Sequence, residues 1–351
     1  MNLVRNPHIK ANYLPSFTSC LEPEDLARFG FLIDFFSRWP LFQDGEDQRR
    51  SHGVLAELFT AARVERMQSL IETAVGETIR PLFEERGPWD AVSRFAKPLP
   101  LRVILAVLGF PADDAPDMLA WADAVEDWFG GRGPPAPRFI RCQAALQAFA
   151  ARAEARLADP ALPADGAAAA LVRAAAAGRL DPRDVVPNIF FLMAAGHESS
   201  AGLLAHGLRT LLPHPRRAAL TAALVAAPPS AAAHPSSPPA DRDAGGLGGG
   251  DAGDDIVEEL LRLVTPVARL YREVGPEGLD YAGLRFPSNC MLPQPTATRA
   301  AAPSRDLTRP RSTPEGRPAS GTSPSAHTTS FRMFITSSRS CRTQCVISHM
   351  S

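Results

Sequence analysis

The chain has 351 residues, 45% of them hydrophobic, with 37 basic and 38 acidic side chains for a formal net charge of −1. That is length for one large domain or two ordinary ones with a sizeable core, and the balanced charge excludes a general attraction to nucleic acid or anionic membranes. No apolar run approaches the 18 residues of a membrane span, no signal peptide is visible, and 5 scattered cysteines form no disulfide framework, so a cytoplasmic protein is expected.

Residues 1–22 read as irregular, and Pro23 to Phe36 as a helix. Asp44 or Asp47 is placed to cap a helix from about Glu46 to Leu58, with Leu55, Leu58 and Phe59 as its apolar stripe. Arg63 to Arg80 carries Val64, Met67, Leu70, Ile71, Val75 and Ile79 on one helical face. A helix starting near Pro100 ends at Gly109, before a Phe110-Pro111 turn. Asp114 to Phe129 is helical, Gly130 to Pro137 a loop, and Phe139 to Leu157 and Ala167 to Ala177 are further helices. No strand is expected before residue 180, so the fold class is mainly α.

Asp181 to Pro215 reads as one long, mostly buried helix, capped by Asp181 with Pro182 in its first turn. Its apolar run (Ile189 to Met193, then Leu203, Leu204, Leu208, Leu211, Leu212) is interrupted by Ala194, Ala195, Gly196, His197, Glu198, Ser199 and Ser200. Glycine inside a helix costs about 1 kcal/mol relative to alanine, so Gly196 needs a reason. A flat ligand lying against this notch is one, and an acid followed by a hydroxyl beside that ligand could relay protons. The alternative is a buried helix whose serines bond back to its own carbonyls.

Arg216 to Val225 reads as a short helix. Residues 226–255 hold little that could be buried and read as a disordered low-complexity insertion. Ile256 to Val267 then reads as a helix ending before Pro266, with Glu259 and Arg262 three apart on one face. Strands are expected at Leu270–Val274 and Gly283–Pro287. From Ser288 to Ser351, 36 of 64 residues are Ser, Thr, Arg or Pro and only Asp306 and Glu315 are acidic, so 288–351 reads as a disordered or frame-shifted tail.

AAGHESS resembles the central-helix signature of the cytochrome P-450 family. The aromatic-Asp lead into the helix of Gln48 and His52, the Leu-Gly-Phe-Pro turn at 108–111, the Glu-x-x-Arg at 259–262 and the following Thr-Pro-Val also resemble that family, in its order. The resemblance covers residues 1–225 and 256–287. It implies a mainly α haem-thiolate monooxygenase fold with a minor β-sheet, incomplete at both ends. It implies haem b as cofactor, a small organic substrate, and a ferredoxin- or flavodoxin-type electron donor, with no nucleic-acid or membrane partner. Carried over residue by residue, Glu198 and Ser199 form the acid–alcohol pair, serine standing where the family usually has threonine. Ala195 and Gly196 face the haem. Gln48, His52 and Arg272 approach its propionates, with Gln48 and His52 replacing a His and an Arg and so carrying less charge. Glu259 and Arg262 form the bracing ion pair. The family's cysteine-ligand loop is not intact. Phe334, Arg339 and Cys341 keep its spacing, but Ser337 and Thr343 replace its two glycines, so Cys341 is a weak axial ligand and the chain as written is expected to be inactive. The alternative is a non-catalytic helical scaffold, or a gene remnant, that lacks haem.

Overall fold

A computed structural model describes residues 6, 8–19, 21–85, 87–130, 135–226, 256–257, 260–261, 263–264, 266–267, 269–281 and 283–295. The described helices are α1 (Leu14–Thr18), α2 (Pro23–Arg28), α3 (Gly30–Ser37), α4 (Gly45–Glu57), α5 (Ala61–Arg66), α6 (Gln68–Glu84), α7 (Pro98–Leu108), α8 (Ala115–Gly130), α9 (Pro135–Leu157), α10 (Ala167–Ala176), α11 (Val185–Leu211) and α12 (Arg217–Ala226). The described strands are β1 (Ile9–Lys10), β2 (Arg269–Val274), β3 (Leu279–Tyr281), β4 (Leu284–Phe286) and β5 (Met291–Pro295). The class is mainly α with small antiparallel sheets, as expected.

The chain divides into two compact units. The first gathers Met1–Leu58, Leu101–Ala195 and Val267–Thr296. Its helices pack because apolar residues recur at helical spacing: Met118, Ala122, Val125 and Trp128 on α8 are buried, as are Phe139, Cys142, Leu146, Phe149 and Ala153 on α9. An aromatic core joins them. Phe36 stacks on Trp128 with centroids 4.6 Å apart, Phe149 meets Phe190 edge-on at 4.7 Å, and Trp39 lies 5.9 Å from Phe190. Gly109, at φ +85°, ends α7 as expected, with the Phe110 amide donating to the Leu105 carbonyl at 2.8 Å. Just beyond that turn, Asp114 is buried and accepts from Arg156 at 2.8 and 2.9 Å and from Arg152, both on α9.

This unit also holds both described sheets. One has the order β1-β2-β5, antiparallel throughout, and the other is the β3–β4 hairpin. Val274, Leu279 and Leu292 form their small core. The expectation that the fold stops at Pro287 is corrected for residues 288–295. A turn with Asn289 at φ 57° leads into β5, which pairs with β2 in the register Arg272↔Leu292 and Tyr271↔Pro293. Two prolines in five residues argue against a central strand, but β5 is an edge strand, where a missing N–H is tolerated.

The second unit includes Phe59–Pro100 and Gly196–Pro266. Ile71, Ala74, Val75, Thr78 and Leu82 make the buried stripe of α6. Leu203, on the latter half of α11, packs with Val264 and Leu261. The approach is close because Gly202 has no side chain: a β-carbon there would come within 3.1 Å of the Pro266 Cβ.

Several boundaries differ from expectation for identifiable reasons. Pro23–Phe36 is two helices, broken at buried Phe29 (φ −98°, ψ 18°). Arg63–Arg80 is likewise split at Met67, where ψ is −11°. A π-helical turn, Val92–Ala96, precedes α7, which starts at Pro98 because both prolines sit where helix amides have no acceptor anyway. The central helix stops at Leu211, since Pro213 disfavours helix in the residue before it. At its start Asp181 caps as expected, accepting from the Arg183 amide at 2.9 Å, and a short 3-10 turn precedes Val185. Residues 227–255, Glu259, Arg262 and Cys341 lie outside the described residues, so the expected insertion, ion pair and axial ligand do too.

Candidate cofactor site

Arg272 is the charged residue most unusual in its surroundings. It sits in β2 at 6% exposure, and its one side-chain hydrogen bond among the described residues runs from Nη1 to the neighbouring Tyr271 carbonyl at 2.9 Å. No described carboxylate lies within ion-pair distance of it. Burial works against its charge, while Tyr13 and Asp44 favour it. A guanidinium stays protonated even so, and most of its donor fork is left for an acidic group that the described residues do not supply. The position therefore fits a carboxylate-bearing cofactor.

Tyr13 packs beside this strand, its ring 5.9 Å from Tyr271 and 4.9 Å from Phe42. Asp44 holds that segment in place. It stands at the N-cap position of α4, as expected, but its carboxylate does not cap. It accepts instead from the Ala11 and Asn12 amides at 2.7 and 3.1 Å, closing a loop of more than 30 residues. Gln48 and His52 follow one and two turns along α4, both half-buried and on one face. His52 departs from its expected charge. Burial lowers its pKa below the ordinary histidine value, so it is neutral at pH 7 and offers a hydrogen bond but no charge. Of these three residues Arg272 thus carries the fixed positive charge, and Gln48 and His52 on α4 are neutral partners.

On α11, Gly196 is buried, Ala195 partly so, and His197 is 1% exposed. Glu198 is exposed while Ser199 is buried, as successive helical residues 100° apart would be. The two neighbouring residues of the expected acid–alcohol pair thus differ in exposure. Ser200, fully buried, donates to the Gly196 carbonyl at 2.8 Å, which is the back-bonding alternative realised at that serine. Sequence reasoning missed the clamp at the start of this helix. Arg38 bridges Asp34 and buried Asp184 at 2.9 Å, and Asn188 donates to the Asp184 carbonyl at 2.8 Å. The signal available was an acid at the helix start followed four residues later by an amide. No cluster of metal-ligating side chains occurs among the described residues, and none of their helices is long and apolar enough to cross a membrane.

No family model matches the chain. Among curated proteins it is 25% identical over 254 residues to vitamin D(3) 25-hydroxylase of Pseudonocardia autotrophica, covering 72% of this chain and 55% of that protein. It is 30% identical over 258 residues to the cytochrome P450 monooxygenase PikC of Streptomyces venezuelae, covering 71% and 53%. Among solved structures, P450BioI bound to an acyl carrier protein superposes with a TM-score of 0.68 at 20% identity, covering 87% of this chain and 72% of that one. The chain belongs to the cytochrome P450 family. It spans about half the length of the curated relatives it matches. Members of this P450 family carry haem iron, and the donors left on Arg272 suit a haem propionate. The axial thiolate that completes a P450 centre has its one sequence candidate, Cys341, outside the described residues.

Proposed function

We propose that this chain holds haem b as a P450-type monooxygenase does, with Arg272 gripping one propionate and Gln48 and His52 giving neutral hydrogen bonds. The observation that carries this reading is the buried guanidinium of Arg272, which lacks a carboxylate among the described residues. When bound in a P450, haem activates O2 so that one oxygen atom enters an organic substrate. On the central helix, the family resemblance would give Ala195 and Gly196 the part of leaving room for a ligand, Ser199 that of holding a proton, and Glu198, exposed, that of exchanging protons with solvent. Glu259 and Arg262 would brace the fold as an ion pair. The substrate class is a small organic molecule and the electron donor a ferredoxin- or flavodoxin-type protein, met in the cytoplasm.

The same reading includes loss of turnover. The family's cysteine loop is not intact in residues 288–351, and without thiolate donation to iron, O–O cleavage is not favoured. Reconstitution with haem tests both parts. One haem should bind per chain, and Arg272→Leu should weaken it by about 10- to 100-fold, the value of one charge-assisted hydrogen bond at ~1.5–3 kcal/mol. Equal retention by wild type and Arg272→Leu would remove Arg272 from the site. The second reading, a helical scaffold without haem, would show as no stoichiometric haem at all.

A further inference from the structure

Near the start of the central helix, the amides of Gln43 and Asn188 converge on the Arg38 carbonyl, beside Trp39, and each of these three residues keeps a buried polar atom without a partner among the described residues. Asn188 is fully buried and donates through Nδ2 to the Arg38 carbonyl at 3.4 Å and to the Asp184 carbonyl at 2.8 Å. Gln43 donates through Nε2 to the same Arg38 carbonyl at 3.3 Å. Those donations fix which end of each amide is nitrogen. They leave Asn188 Oδ1 and Gln43 Oε1 buried with no hydrogen-bond partner among the described residues. Trp39, next to Arg38 and 3% exposed, likewise keeps its indole Nε1–H buried and unsatisfied. Burying such a group unmet is costly, so three on residues that meet at this peptide call for a common explanation.

We infer that Trp39, Gln43 and Asn188 form a binding site for one internal water molecule. The donor inventory selects the ligand. One N–H and two carbonyl oxygens require a molecule that accepts once and donates twice, which is water. An alcohol has only one hydrogen to give, an anion would face two carbonyl oxygens, and a cation would face the indole N–H. A buried water making about three bonds to otherwise unsatisfied groups is the ordinary form of such a site. Its place in the fold gives it a role. The water joins the segment ahead of α4 to the first turn of α11 and fixes the plane of the Trp39 ring, which lies 5.9 Å from Phe190 and 5.4 Å from Phe191. The inference does not depend on haem.

The test is nuclear magnetic resonance on the full chain with 15N-labelled tryptophan, the Trp39 indole signal being assigned by its loss in Trp39→Phe. The indole proton should show cross-relaxation to a long-lived water. Gln43→Met and Asn188→Leu, which keep the volume but drop an acceptor, should each abolish it while the other tryptophan signals stay in place. An indole proton protected from exchange with no cross-relaxation to water would overturn the site, as would a cross-peak that survives in both variants. If Asn188→Leu fails to fold, Gln43→Met alone decides.

Discussion

Asp114 shows how one residue anchors a turn. Burial pushes its carboxyl up, but Arg156 and Arg152 together outweigh burial and hold it below the usual carboxylate range. The folded carboxyl therefore releases its proton more readily than the unfolded one. Its stabilisation is full above about pH 4 and is lost as the pH falls through the folded value. Asp114→Ala should cost about 1–3 kcal/mol at pH 7, and chemical denaturation below pH 4 should show the variant converging on wild type. Asp184 has the opposite sign. Burial raises its pKa against the pull of Arg38, so its contribution is greatest below the ordinary carboxylate value and declines as the pH rises through the raised one. Such details were only partly legible. The acid at 114 reads from sequence as a helix start, but its partners lie about 40 residues away, and nothing local in the chain pairs them. Asp44 is the same lesson: its position as a helix cap was readable, and its clamp on residues 11 and 12 was not, because that bond spans a loop.

At the scale of elements, the long helices were legible because their apolar residues recur at helical spacing, and α8, α9, α10 and α12 fall close to the expected positions. Breaks without a proline, at Phe29 and Met67, were not, since they answer to packing elsewhere. β5 was missed because its composition, MLPQP, lacks strand signals, and pairing with β2 creates the strand. Removing residues 288–351 should therefore destabilise the chain more than removing residues 296–351 does. It strips Leu292 from its cluster with Val274 and Leu279, and truncation after Pro287 should lower the melting midpoint more than truncation after Pro295 does. Equal midpoints would show that β5 contributes nothing. On α11, Gly202→Val should cost about 1–3 kcal/mol by driving a side chain into Pro266, measured by urea denaturation, although valine is the better helix former.

At the scale of the molecule, family membership was legible from a handful of short motifs in the right order, and the fold followed from it. The AAGHESS helix, the Leu-Gly-Phe-Pro turn and the strand of Arg272 carried that order. The site was legible as residue types and not as geometry. Arg272 reads as a cation, but its burial without a carboxylate partner among the described residues appears only once β2 is paired on both sides. The neutrality of His52 likewise needs its burial. The account rests on haem being held through Arg272 by a chain that offers iron no intact thiolate loop. The most direct measurement is the absorption spectrum of the purified full chain after haem reconstitution, reduced under carbon monoxide, with Arg272→Leu alongside. The account predicts one haem per wild-type chain, much less in the variant, and a Soret band unlike that of thiolate-ligated P450s. A chain that takes up no haem, or one whose band matches a thiolate-ligated P450, would contradict it.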